Sequence, residues 1–163
     1  MMSDVFISYA EEDRQRAEIF VKLFQGLGWK VFWDQNIPIG SPWRDTIEEE
    51  LTNARCVIVL WSENSIKSSW VKGEAEDAMQ RRILVPILID KVSIPVTFRT
   101  LQSADLSDWV RTREAQEFHK LFSAIAVHIG SPPKQLGLAL AAGASLSRAG
   151  PPEGDRPDGS VSE

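Results

Sequence analysis

The amino-acid sequence predicts an α/β domain: a doubly wound, parallel five-stranded sheet with helices on both faces. Three observations predict it. Short apolar runs alternate with amphipathic segments from residue 4 to residue 129, the rhythm of a parallel sheet covered on both sides. One run, Cys56-Val57-Ile58-Val59-Leu60, is apolar without interruption, as a strand buried on both faces must be. The chain has 163 residues, the size of one domain with some additional chain.

Residues 4–9 read as the first strand. Residues 13–27 read as a helix with Ala17, Phe20, Phe24 and Leu27 on one face and Gly28 at its stop. Trp29–Trp33 reads as a second strand, and Asp34–Pro42 as a loop broken by Pro38, Gly40 and Pro42. Ser41 is expected to cap the next helix, with Pro42 at its first position and Ile47, Leu51 and Ala54 facing inward. After the strand Cys56–Leu60, Ser68 or Ser69 caps a helix over Trp70–Arg82, whose apolar stripe is Val71, Ala75, Ala78 and Met79. Ile83–Ile89 reads as a fourth strand, which Pro86 interrupts. Residues 102–106 suit a short fifth strand. Glu114–Ile129 reads as the last helix, with Phe118, Leu121, Phe122, Ile125 and Ile129 inward. These elements suit a flavodoxin-like strand order, 2-1-3-4-5. From Ser131 to Glu163 the chain is dominated by Pro, Gly, Ala and Ser and has no aromatic residue, so a domain over 1–130 followed by a disordered tail or linker is expected.

Composition excludes several classes. A net charge of −5 argues against nucleic acid, which selects a basic face. No apolar run is long enough for a membrane span, and the start shows neither the basic nor the apolar segment of a secretory signal. The single cysteine, Cys56, lies in an apolar strand and reads as a buried structural thiol, consistent with a reducing cytoplasm. His119 and His128 have no Cys or acidic companions at metal-ligand spacing, so no metal is expected. Gly26-Leu27-Gly28 follows a helix instead of opening one and lacks a third glycine, so it is no dinucleotide fingerprint; a P-loop and a GxSxG elbow are also absent. A response-regulator receiver would require an acidic residue ending the third strand, where this chain has Leu60-Trp61-Ser62. The acidic runs Glu11-Glu12-Asp13 and Glu48-Glu49-Glu50 read as solvated faces. Of the six tryptophans, Trp29, Trp33, Trp61 and Trp109 read as core or sheet-edge residues, and Trp43 as a staple or an interface anchor.

In sheets of this order, ligands sit beyond the carboxyl ends of the strands where the connections diverge, between strands one and three. The loop after strand one is Ser8–Glu12. The loop after strand three leads into Trp70 and Glu74, four residues apart and so on one helical face, with Cβ atoms roughly 5–6 Å apart. An indole beside a carboxylate offers a stacking surface and a charge that stabilises a cation. The same spacing also suits an ordinary helix flank, with Trp70 over the core edge and Glu74 solvated or paired with Lys72 or Arg81; both readings stand at this point. Gly73 costs a helix interior roughly 1 kcal/mol against Ala, through close packing of a neighbour or tolerance on an exposed turn.

Over residues 3–129 the chain resembles the TIR (Toll/interleukin-1 receptor) family. Phe6-Ile7-Ser8-Tyr9-Ala10 followed by Asp13 is similar to the family's first box, and Asp34–Trp43, with Gly40 before Ser41-Pro42-Trp43, to its mobile loop. Val57–Ser62 followed by Ser69-Trp70 and Glu74 is similar to its third strand and catalytic helix. The Ser-Pro-Trp and the Leu-Gln…Asp-Leu of residues 101–106 resemble bacterial members. The resemblance implies an enzyme that cleaves NAD⁺ to nicotinamide and ADP-ribose or a cyclic variant, in bacterial immunity or virulence, with NAD⁺ as substrate and no cofactor. It implies Glu74 as catalytic residue. Phe6, Ser8, Tyr9 and Trp70 would line the substrate site, Trp33 and Asp34 would flank it, and Gly40 and Trp43 belong to the loop beside it. A second copy's loop closing the site is the implied homo-oligomeric, TIR–TIR partnership. The alternative is a TIR scaffold that binds other TIR domains without catalysis; typical adaptors lack this glutamate. One departure from the pattern is Ala10-Glu11-Glu12, where some catalytic members carry basic residues.

Overall fold

The computed structural model describes residues 3–33, 40, 42–108 and 115–133. Within them the strands are β1 (Val5–Ser8), β2 (Val31–Phe32), β3 (Cys56–Trp61), β4 (Leu84–Leu88) and β5 (Ala104–Asp105). The helices are α1 (Arg14–Gly26), α2 (Trp43–Asn53), α3 (Ser69–Gln80) and α4 (Ala115–Ile129). The strands form one sheet in the order β2-β1-β3-β4-β5, with every pair parallel, as the alternation predicts.

Strand periodicity divides the interior into two layers. Val5 and Ile7 of β1, Cys56, Ile58 and Leu60 of β3, and Val85 and Ile87 of β4 face α1 and α4, where they meet Ala17, Phe20, Phe24, Leu121, Phe122 and Ile125. The alternate residues Phe6, Val57, Val59, Trp61 and Leu84 face α2 and α3, against Ile47, Val71, Ala75 and Ala78. β3 has all six residues buried because it is central and covered on both faces. Burial pushes the Cys56 thiol up to about 12, which leaves it protonated and inert.

The termini of the elements follow from local chemistry. α1 stops where Gly28 adopts φ 89°, and the Trp29 amide reaches back to the Phe24 carbonyl at 3.2 Å. α3 ends two residues earlier than periodicity predicts, by the same motif built on a non-glycine residue: Arg82 takes φ 59°, and Ile83 N donates to Ala78 O at 3.0 Å. Pro42, not Ser41, occupies the cap position of α2. Its backbone is extended, and its carbonyl accepts from the amides of Asp45 and Thr46, so the first helical residue is Trp43. Ser41 lies outside the described residues.

β2 pairs over two residues, Val31 and Phe32, instead of five. The approach to it is held by Asp4, whose side chain accepts from Lys30 N at 3.0 Å. Pro86 is accommodated because its nitrogen points toward β5. Ile83 O and Ile89 N bond to β3 while Leu88 O bonds to Leu106 N, so even-numbered residues of β4 face β5, whose pairing begins only opposite Ile87. Among the described residues no helix is long and apolar enough to cross a membrane.

Candidate functional site

The Ser68 side chain caps α3 by accepting from Val71 N at 3.2 Å, which starts the helix directly beyond the carboxyl end of β3. One turn in, Glu74 points back to the sheet. β1 lies beside β3 with Ser8 opposite Val59, so the last residue of β1 comes under α3. Ser8 Oγ donates to Glu74 Oε1 at 2.9 Å, with Ser8 1% and Glu74 8% exposed. Glu74 is therefore a buried carboxylate bonded across the switch point, and not the solvated flank that its spacing also allowed. Arg81 instead bonds Asp77 and the carbonyls of Leu51, Thr52 and Ala54, fastening α3 to the end of α2.

Among the described residues Trp70 borders three crevices, two of which Glu74 also lines. The innermost, about 30 Å³, is lined by Phe6, Ile7, Tyr9, Phe32, Ile47, Trp70 and Glu74. A second, about 380 Å³, runs between α2 and α3, and its acidic lining includes Glu48, Glu74 and Asp77. A third, about 540 Å³, lies beyond the strand ends and includes Tyr9, Glu11, Glu12, Trp43, Asn64, Lys67 and Trp70. Trp70 borders all three. It is 41% exposed and meets Trp43, itself 50% exposed, at a centroid distance of 5.4 Å. The Arg44 guanidinium lies 5.9 Å from the centre of the Trp43 ring. A Cβ added at Gly73, on the wall of the second crevice, would meet nothing within 4 Å, so no neighbour packs against that glycine among the described residues.

Of the residues singled out from sequence, Phe6, Tyr9, Trp70 and Glu74 converge on the small pocket, Ser8 bonds Glu74, and Trp43 packs on Trp70. Trp33 stands in the other layer, against the α1/α4 core, and among the described residues its ring contact toward the site is with Tyr9, 6.3 Å away between ring centres. Gly40 is exposed with φ 88°. Asp34 lies outside the described residues. Sequence reading missed Phe32, which stacks on Phe6 at 5.4 Å. The signal was available, since strand alternation puts Phe32 on the face opposite Trp33 and register puts it beside Phe6.

Sequence reading also took Asp13 as part of a solvated run, whereas it is 2% exposed. Its carboxylate accepts from Arg16 Nη2 at 2.6 Å, from Asn64 Nδ2 at 2.9 Å and from Ser62 Oγ. Arg16 also bonds Asp90 at 2.7 and 3.1 Å, and Asp90 accepts from Glu63 N. This network joins the loops after β1, β3 and β4. Asp90, then Asp13, raise the Arg16 pKa, and the Arg16 hydrogen bond holds the Asp90 carboxyl below the usual range.

Comparison with known proteins identifies the family. A family model described as TIR domain matches residues 5–122. The chain belongs to the TIR domain family. A relative of this TIR domain named as a probable 2′ cyclic ADP-D-ribose synthase, TcpO of Methanobrevibacter olleyae, is 30% identical over 93 residues, 53% of this chain and 27% of that protein. A second, the probable 2′ cyclic ADP-D-ribose synthase TcpB of Brucella melitensis biotype 1, is 29% identical over 121 residues, 61% of this chain and 48% of that protein. The chain thus spans less than half of either relative. The TIR domain of the Toll-related receptor TRR-2 from Hydra magnipapillata has the same fold, with TM-score 0.67, 22% identity, and coverage of 76% of this chain and 98% of that one. So does a metazoan TIR-STING receptor from C. gigas, with TM-score 0.61, 24% identity, and coverage of 76% and 39%.

Proposed function

We propose that this TIR domain cleaves the nicotinamide–ribose bond of NAD⁺, releasing nicotinamide and either ADP-ribose or a cyclic ADP-ribose variant, with Glu74 as the catalytic carboxylate. The observation that carries this reading is a buried glutamate at the switch point of the sheet, bordered by crevices and by an exposed tryptophan. Breaking the bond leaves an oxocarbenium-like centre at the ribose, which a fixed carboxylate stabilises or attacks. Nicotinamide departs neutral from a cationic ring, so no general acid is required and one carboxylate suffices. The acidic crevice beside Glu74 suits the pyridinium cation. Two distant relatives are named probable 2′ cyclic ADP-D-ribose synthases, which supports a cyclic ADP-ribose product here.

The innermost pocket, at about 30 Å³, is far below the roughly 300–1,000 Å³ of ordinary ligand sites. NAD⁺ therefore enters through the larger crevices, and Trp70, which borders all three, moves to admit the ribose to Glu74. The test is incubation of purified protein with NAD⁺ and chromatographic measurement of nicotinamide and of the ribosyl product. Nicotinamide release is expected. A folded protein that releases none, from nanomolar to tens of micromolar and with a crowding agent, would exclude the enzyme.

The exposed Trp43–Trp70 pair favours a second reading, a module that binds other TIR domains. The two readings join if a second copy covers the indoles and completes the site. Specific activity then rises with protein concentration, and Trp43→Ala removes that rise while the monomer stays folded.

A further inference from the structure

Ser8 carries the same family signature as Phe6 and Tyr9, and the resemblance implies that it lines the substrate site. Its surroundings assign it elsewhere. It is 1% exposed, so it offers almost no surface to a ligand. A hydroxyl has one proton to give, and that proton is given to Glu74 Oε1 at 2.9 Å. β1 holds Ser8 in place, with Phe6, Ile7 and Ser8 paired to Val57, Ile58 and Val59 of the central strand.

We propose that Ser8 is a positioning residue: its hydroxyl fixes the orientation of the Glu74 carboxylate against β1 and keeps it ionised, and it does not touch NAD⁺. The inference rests on the proposed NAD⁺ chemistry for its kinetic consequences, but the interaction itself can be measured without it. Burial of Glu74 at 8% exposure disfavours the charged form. So do the carboxylates that share its crevice, Glu48 from α2 and Asp77 from α3. Among the described residues, the end of β1 presents Tyr9 to the same pocket. β2 presents Phe32, and the core face of α2 presents Ile47, neither of which titrates. A hydroxyl donating to the carboxylate opposes these effects.

The consequence is a pH signature. Removing the donor raises the pKa of Glu74 in the folded protein, so the charged form is lost at a higher pH. In Ser8→Ala the acid limb of kcat moves to higher pH, kcat at neutral pH falls roughly ten- to a hundredfold, and raising the pH restores part of the loss. KM changes little, because no substrate contact is lost. Ser8→Thr, which keeps the donor, returns the acid limb toward the wild-type position. A separate titration follows the carboxyl ¹³C signal of Glu74, assigned by its absence in Glu74→Gln, in the wild type and both Ser8 variants. The midpoint moves up in Ser8→Ala and back in Ser8→Thr. A folded Ser8→Ala with an unchanged midpoint, or one that raises KM without moving the acid limb, overturns the proposal. If the wild type cleaves no NAD⁺, the reading of the reaction fails, while the ¹³C midpoints still decide whether Ser8 sets the charge of Glu74.

Discussion

Two buried carboxylates stand at the same edge of the sheet, Asp13 at 2% exposure and Glu74 at 8%, and their surroundings differ. Asp13 receives a guanidinium, an amide and a hydroxyl, and through Arg16 it is coupled to Asp90. It lies where three loops must be held together, and its acceptor capacity is spent on holding them. Glu74 receives the Ser8 hydroxyl and forms part of the wall of two crevices. Burial alone does not mark a reactive carboxylate. A carboxylate that ties loops through an arginine is a fastener, whereas Glu74 stands in the walls of two crevices, where a ligand can approach.

The most disruptive way to break this comparison is to remove the fastener. Asp13→Ala leaves Arg16 with Asp90, removes the Asp13 acceptor of the Asn64 amide, and leaves the Ser62 hydroxyl with only the longer contact to Ser65 Oγ at 3.3 Å among the described residues. The loss is expected to be about 2–4 kcal/mol, a drop in melting temperature on the order of 10 °C, read by thermal or urea unfolding. A loss below about 0.5 kcal/mol would show that the network is dispensable. What folded protein remains should still cleave NAD⁺, because Asp13 lines none of the three crevices.

A milder effect comes from acid. The Asp90 carboxyl is held low in the folded protein, first by its hydrogen bond from Arg16. Its contribution to stability is therefore fully present above the ordinary Asp range, about pH 4, and is lost as pH falls through the lower folded value. Arg16 stays charged throughout. Acid unfolding of Asp90→Asn should show a shallower fall in stability below about pH 4 than the wild type. Identical slopes would mean the pair does not contribute to acid sensitivity.

The smallest effect sharpens the other half of the comparison. Gly73→Ala places a methyl group where nothing stands within 4 Å and should stabilise the helix by about 0.5–1 kcal/mol. The same methyl group enters the 380 Å³ crevice, so KM for NAD⁺ should rise as stability rises. An unchanged KM would place the substrate in the 540 Å³ crevice, beyond the strand ends.

Much of this was legible in the sequence because periodicity reports burial. Ala17, Phe20, Phe24 and Leu27 of the first helix, the uninterrupted run at Cys56, and the Ser68 cap all stand where spacing predicts them. Phe6, Tyr9, Trp70 and Glu74 converge because strand order 2-1-3 brings the end of β1 beneath the start of α3. The rest depends on long-range partners that a local pattern does not carry. Asp13 sits in an acidic run, and only Arg16, Ser62 and Asn64 reveal that it is buried. Ser8 reads as a loop hydroxyl until Glu74, 66 residues away, accepts its hydrogen bond. Trp33 packs against the core, as its reading as a core or sheet-edge residue expects, and strand alternation puts it on the face opposite Phe32, away from the place beside the site that the family resemblance implies.

The central claim is that Glu74 supplies the charge for NAD⁺ cleavage, and Glu74→Gln tests it most directly. Glutamine keeps the shape and an acceptor for Ser8, so the fold should melt within a few degrees of wild type, a difference of less than about 1 kcal/mol. Nicotinamide release should fall at least roughly 100-fold, because the developing ribosyl cation loses its counter-charge. A folded Glu74→Gln protein that releases nicotinamide at the wild-type rate would contradict the account.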